Sequence, residues 1–118
     1  MDKKDNIAPL ISIAVEAWRF SKVFNKVLSK VDSLEQKKYL NQYRFYEKKT
    51  TEALEQLGIK IVNVEGQIFD PGMAVTPLNI NEFNNEHCEL IVDQMIEPIL
   101  VNENGVLKTG TVILMKKV

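Results

Sequence analysis

The texture of the chain breaks at Gly58. Before it, apolar residues return every three to four positions, the spacing of helices. After it come short β-branched and apolar runs separated by glycine, proline and asparagine, the spacing of strands and turns. A glycine directly after the last periodic residue is where a helix ends in a left-handed cap. One boundary therefore divides a helical half, residues 1–57, from a small β half, residues 58–118, and the fold class is α+β.

In the first half the stripe runs through Leu10, Ala14, Ala17, Phe20, Phe24 and Leu28, widened by Ile11, Val15 and Trp18. Met1–Asn6 is charged and expected to fray, and Pro9 is expected in the first turn, where its missing N–H costs nothing. Asp32-Ser33 interrupts the pattern. Ser33 with Gln36, or Asp32 with Glu35, provides a capping box for a second helix ending at Leu57. The connection is short, so an antiparallel hairpin is the simplest arrangement, with one continuous bent helix as the alternative. The first stripe is wider than one partner helix needs. Its surplus predicts burial against its own chain and against a second copy, with Leu10, Ala14, Trp18, Phe24 and Leu28 at the dimer contact.

In the second half, Ile59–Glu65 reads as a strand, and Gly66-Gln67 and Asp70-Pro71-Gly72 as turns. The Asp70 side chain is expected to hold its own turn by accepting a backbone N–H. Ala74–Ile80 is a short strand with Pro77 inside it, which places it at a sheet edge. Asn81–Glu86 reads as a loop. Cys88–Ile96 and Ile99–Asn102 are strands broken at Glu97-Pro98. Asn104-Gly105 predicts a hairpin whose two central residues have positive φ, and Thr111–Lys116 is the last strand.

The chain offers little chemistry. Glycine-rich phosphate loops are absent. His87 and Cys88 are the only residues of their kinds and stand side by side, so neighbouring strand positions would send them to opposite faces. Nothing supplies the further ligands of a zinc site. No apolar-flanked pair of carboxylates is set up for acid–base work. The expectation is a binding protein with no catalytic residues, no metal and no cofactor.

Charge is uneven. The formal net charge is −1, but residues 1–57 hold eleven Lys/Arg against eight Asp/Glu, and residues 58–118 hold four against eight. The acidic β half argues against nucleic acid as its partner. No apolar run approaches the ~20 residues that span a bilayer. Ile7–Val15 lacks the basic lead-in and cleavage site of a signal peptide. A single cysteine fits a reducing compartment, so a cytoplasmic location is expected, with no membrane partner.

In order and spacing, Leu54-Glu55-Gln56-Leu57-Gly58-Ile59, Gly66-Gln67-Ile68-Phe69-Asp70-Pro71, Ala74-Val75, Asn104-Gly105-Val106-Leu107-Lys108 and Val112-Ile113-Leu114-Met115-Lys116 resemble the GrpE family. These are the nucleotide exchange factors of DnaK-type heat-shock chaperones. The match runs from about Leu54 to the end, and is looser across the helices. The segment after Asp70-Pro71 is shorter than the family's and has no histidine, Glu97-Pro98 replaces a Gly-Tyr pair, and the long amino-terminal stalk helix is missing. The resemblance implies a divergent member: a homodimer in which two helical hairpins form a four-helix bundle, and whose β head binds the nucleotide-binding domain of a DnaK-type chaperone and promotes ADP release, in the service of protein folding under stress. It implies head contacts at Phe69, Pro71, Met95 and Leu114. The alternative is an interaction or assembly module that keeps the fold without exchange activity.

Overall fold

The computed structural model describes residues 3–83 and 88–117, with side chains from Ile7 onward. The chain is α+β and divides into two compact units, Met1–Lys60 and Ile61–Val118. The division falls just past Gly58.

The first unit is a helical hairpin of α1 (Lys3–Leu28) and α2 (Ser33–Glu55). The helix α1 starts earlier than expected, at Lys3 rather than near Pro9. Pro9 therefore lies inside the helix, where it removes one rung of the hydrogen-bond ladder. Asp32 is the N-cap of α2: its carbonyl accepts the Gln36 N–H at 2.7 Å, and its Oδ1 accepts the Leu34 N–H at 3.4 Å. Gln36 has another task. Its Nε2 donates to the Leu28 carbonyl at 2.8 Å, tying the open end of α1 to the first turn of α2. Further along, the rings of Phe24 and Tyr43 stack at 5.8 Å. These two contacts set the antiparallel register.

Gly58 closes α2 as its position predicts. Its φ is +72°, its N–H donates to the Glu55 carbonyl, and the Ile59 N–H reaches back to the Leu54 carbonyl. These paired bonds are the Schellman motif, which favours glycine at the left-handed residue.

The second unit holds two three-stranded sheets. One has the order β1-β4-β5, from strands Lys60–Val62, Ile99–Asn102 and Gly105–Lys108. The other has the order β2-β6-β3, from Val75–Pro77, Gly110–Lys116 and Leu90–Glu97. Pro77 sits on an edge strand, as its missing donor requires. The β2–β6 pairing is parallel, with Thr76 opposite Thr111, whereas β3 pairs β6 antiparallel. A 3₁₀ turn at Ile80–Phe83 occupies the start of the expected loop. Its remainder, with His87, lies outside the described residues.

Three turns are fixed locally, two of them by side chains. Asp70 Oδ1 accepts the Gly72 N–H at 3.0 Å, the expected Asx turn. Gly66, at φ +86°, turns the chain between Val64 and Gln67. The β4–β5 hairpin differs from the expectation. Its two central residues are Glu103 and Asn104, and neither has positive φ; only Gly105 does. Asn102 Oδ1 accepts the Asn104 N–H at 2.9 Å, and this bond closes the turn in place of a primed geometry.

The core of this unit comprises Val64, Val92, Met95, Ile99, Leu100, Val112 and Leu114. Gly110 belongs to it by default. A Cβ there would come within 2.9 Å of Ile99 Cγ1 and 3.0 Å of the Glu97 carbonyl oxygen, so the position is one of close approach rather than of turning.

Candidate interaction surfaces

The helical unit leaves a large apolar face uncovered. Ile13, Phe20 and Val27, spaced by seven residues along α1, are 66%, 62% and 53% exposed. Leu10, Ala17 and Phe24 fall between them, so a three–four alternation runs the length of the helix. That is the seam of a coiled coil. The matching seam on α2 contains Tyr39, Tyr43, Tyr46, Thr50 and Ala53, with Tyr39 and Tyr46 exposed. Between the seams lies an open groove of about 250 Å³, lined by Phe20, Phe24, Gln42, Tyr43 and Tyr46. Phe20 and Phe24 stack at 6.1 Å along its wall.

The residues expected at a dimer contact divide. Leu10 is exposed, and Phe24 and Trp18 are half-buried, with the Lys22 ammonium 4.9 Å over the Trp18 ring. Ala14 and Leu28 are already buried within a single chain. They offer no surface to a second copy, which corrects their assignment. The broad sequence stripe holds two faces. One is buried in the chain, and the other, through Ile13, Phe20 and Val27, is open.

In the head unit, strand register sorts residues by face. Val92 opposite Leu114 and Met95 opposite Val112 point inward. Ile91 opposite Met115, Gln94 opposite Ile113 and Glu97 opposite Thr111 lie on the outer face. A bridge from Ile68 to Ile91 extends that face by one row, so Ile68, Ile91 and Met115 stand side by side. Ile68 is 51% exposed and Met115 36%. On the same face the Glu97 Oε1 accepts from Thr111 Oγ1 at 2.8 Å and meets Lys108 Nζ at 3.4 Å, a polar margin to the apolar row.

This arrangement corrects two expected contact residues. Met95 is fully buried and Leu114 is 2% exposed; both fill the core of the head and present nothing to a partner. Phe69 is half-buried and Pro71 exposed, on the turn that follows Ile68. The Leu114 neighbours Ile113 and Met115 lie on the opposite, outer face, since one residue along a strand reverses the face.

Asn79 was invisible in the sequence. Its Nδ2 donates to the Leu114 carbonyl and its Oδ1 accepts the Leu114 N–H, both at 2.9 Å. Beside it the Leu78 N–H donates to the Val112 carbonyl at 2.9 Å. One amide side chain thus continues the parallel pairing of β2 and β6 beyond Pro77. Glu65 does a related job, its Oε2 accepting the Met95 N–H at 2.8 Å where β3 loses regular register.

Among the described residues, no three His, Cys, Asp or Glu side chains gather closely enough to hold a metal, and no helix is long and apolar enough to cross a membrane. Cys88 is exposed and unbridged. No protein-family model matches the chain, and neither the curated proteins nor the solved structures compared with it gave a match.

Proposed function

We propose that this chain is a homodimeric, GrpE-like nucleotide exchange factor acting in the cytoplasm. The helical hairpin pairs with a second copy in a four-helix bundle. The head binds the nucleotide-binding domain of a DnaK-type chaperone and promotes ADP release. The protein makes and breaks no bond. It acts by differential affinity, binding an open nucleotide cleft more tightly than a closed one and so raising the open population. A shift from mostly closed to mostly open needs roughly 10⁴-fold preference, about 5.5 kcal/mol.

The observation that carries this reading is the outer face of the head. Ile68, Ile91, Ile113 and Met115 form an apolar centre rimmed by polar groups, the layout of a protein interface. The head unit has eight Asp/Glu against three Lys and no Arg, a formal net charge of −5, which suits a basic protein surface. The resemblance of the Ile68-Phe69-Asp70-Pro71 turn and the last hairpin to the GrpE pattern supplies the identity of that partner.

The test is release of labelled ADP from the DnaK-type chaperone of the same source. Acceleration that saturates with added protein is the expected result. No acceleration at saturating protein would sink the exchange reading and favour the assembly-module alternative, and an absence of binding would also remove the chaperone as partner.

A further inference from the structure

We propose that the charges flanking the two helical seams select a second copy of this chain and fix its orientation, an inference that rests on the dimer proposed above. Each seam has two flanks. The flank of Ala14 and Leu28 on α1, and of Leu40 and Leu54 on α2, is buried or half-buried and faces the interior of the hairpin. The opposite flank carries Glu16 and Val23 on α1, with Lys30 in the turn just beyond its end, and Glu35, Gln42 and Lys49 on α2, each series spaced by seven residues and every member exposed. The α2 series reads acid, neutral, base, and the α1 series reads acid, neutral, with its base in the turn that follows the helix. In coiled coils these flanking positions govern which helix pairs with which, and in what direction.

The hairpin's own register decides the heights. With Gln36 bonded to Leu28 and Tyr43 stacked on Phe24, Glu16 is level with Lys49, Val23 with Gln42 and Lys30 with Glu35. Within one chain these residues lie on far flanks and do not meet. A two-fold axis parallel to the helices leaves heights unchanged and brings α2 of the second copy, antiparallel, beside α1. Glu16 then faces Lys49 of the second copy, Lys30 faces its Glu35, and Val23 reaches the groove beside its Gln42. Each pair occurs twice. A neighbour running parallel would set acid on acid and base on base. A perpendicular axis pairs Glu16 with Lys30 of the second copy, and matches charges only if it crosses both helices at Val23 and Gln42. The parallel axis needs no such coincidence. Within the single chain Glu16 and Lys49 make only exposed, one-turn contacts, to Arg19 at 3.7 Å and Glu52 at 4.0 Å, with Lys49 also 5.6 Å over the Phe45 ring. A partner can displace them.

Sedimentation equilibrium of the full chain tests this. Glu16→Lys should raise the dimer dissociation constant about tenfold at low salt, because two exposed pairs turn from attraction to repulsion, and the effect should shrink at high salt. Adding Lys49→Glu should restore the affinity, with helix content unchanged by circular dichroism. A wild-type dimer indifferent to Glu16→Lys overturns the charge code alone, as does rescue by Lys30→Glu instead of Lys49→Glu. A wild-type chain that stays monomeric overturns the dimer, and the charge code with it.

Discussion

The two units solve the problem of a small core differently. The head unit has a closed core. Val92, Met95, Leu100 and Val112 are all within 1% of complete burial, a glycine at position 110 lets β6 come close to Ile99, and Asn79 and Glu65 satisfy backbone groups where strand pairing is irregular. The helical hairpin does not finish. It buries Ala14, Val15, Leu28 and Leu54, and leaves Ile13, Phe20, Val23 and Val27 in the open. Each fully buried aliphatic or aromatic side chain is worth about 1.5–3 kcal/mol, so the uncovered seam is a substantial unused reserve. The contrast teaches that the hairpin carries an exposed apolar seam with coiled-coil spacing, which a second helical pair can cover.

The sharpest way to break that contrast is to damage the finished core. Met95→Ala should destabilise the head by about 2–5 kcal/mol, the cost of a large-to-small change at a fully buried site, read by denaturant unfolding. The loss should be the same at every protein concentration if the head core is complete within one chain. Asn79→Ala should cost less, about 1–3 kcal/mol, because the Leu114 N–H and carbonyl both lose their partner. In the hairpin unit, Gly58→Ala should cost about 1–2 kcal/mol by forcing a side chain into left-handed backbone. Space does not decide that result, since a Cβ at Gly58 meets nothing within 4 Å. Smallest in stability are changes on the outer face of the head. Ile68→Asp and Met115→Asp should alter unfolding by no more than about 0.5 kcal/mol, as exposed positions do, yet weaken chaperone binding in a titration. Unchanged affinity in both would remove the outer face from the contact.

What the sequence disclosed follows the range of the interactions involved. The helix end at Gly58, the Asx turn at Asp70 and the edge position of Pro77 were legible because each is decided by one residue and its immediate neighbours. The parallel pairing of β2 with β6 was not, because it joins segments more than thirty residues apart and no local signal encodes it. Met95 and Leu114 entered as contacts through the resemblance alone, which carries no information on which way a strand residue faces. Strand β3 carries register shifts between Val92 and Gln94 and between Met95 and Glu97, so Val92 and Met95 both point inward although three residues apart. Simple alternation fails there, and with it any assignment of surface residues by parity. Ala14 and Leu28 were misplaced because a helical stripe reports that a face is apolar, and not which partner covers it.

The most direct test of an unfinished hairpin beside a finished head is sedimentation equilibrium of the unmodified chain at micromolar concentration. A dimer is the predicted result, with hairpin unfolding that moves to higher temperature as concentration rises. A monomer whose unfolding is independent of concentration would contradict it.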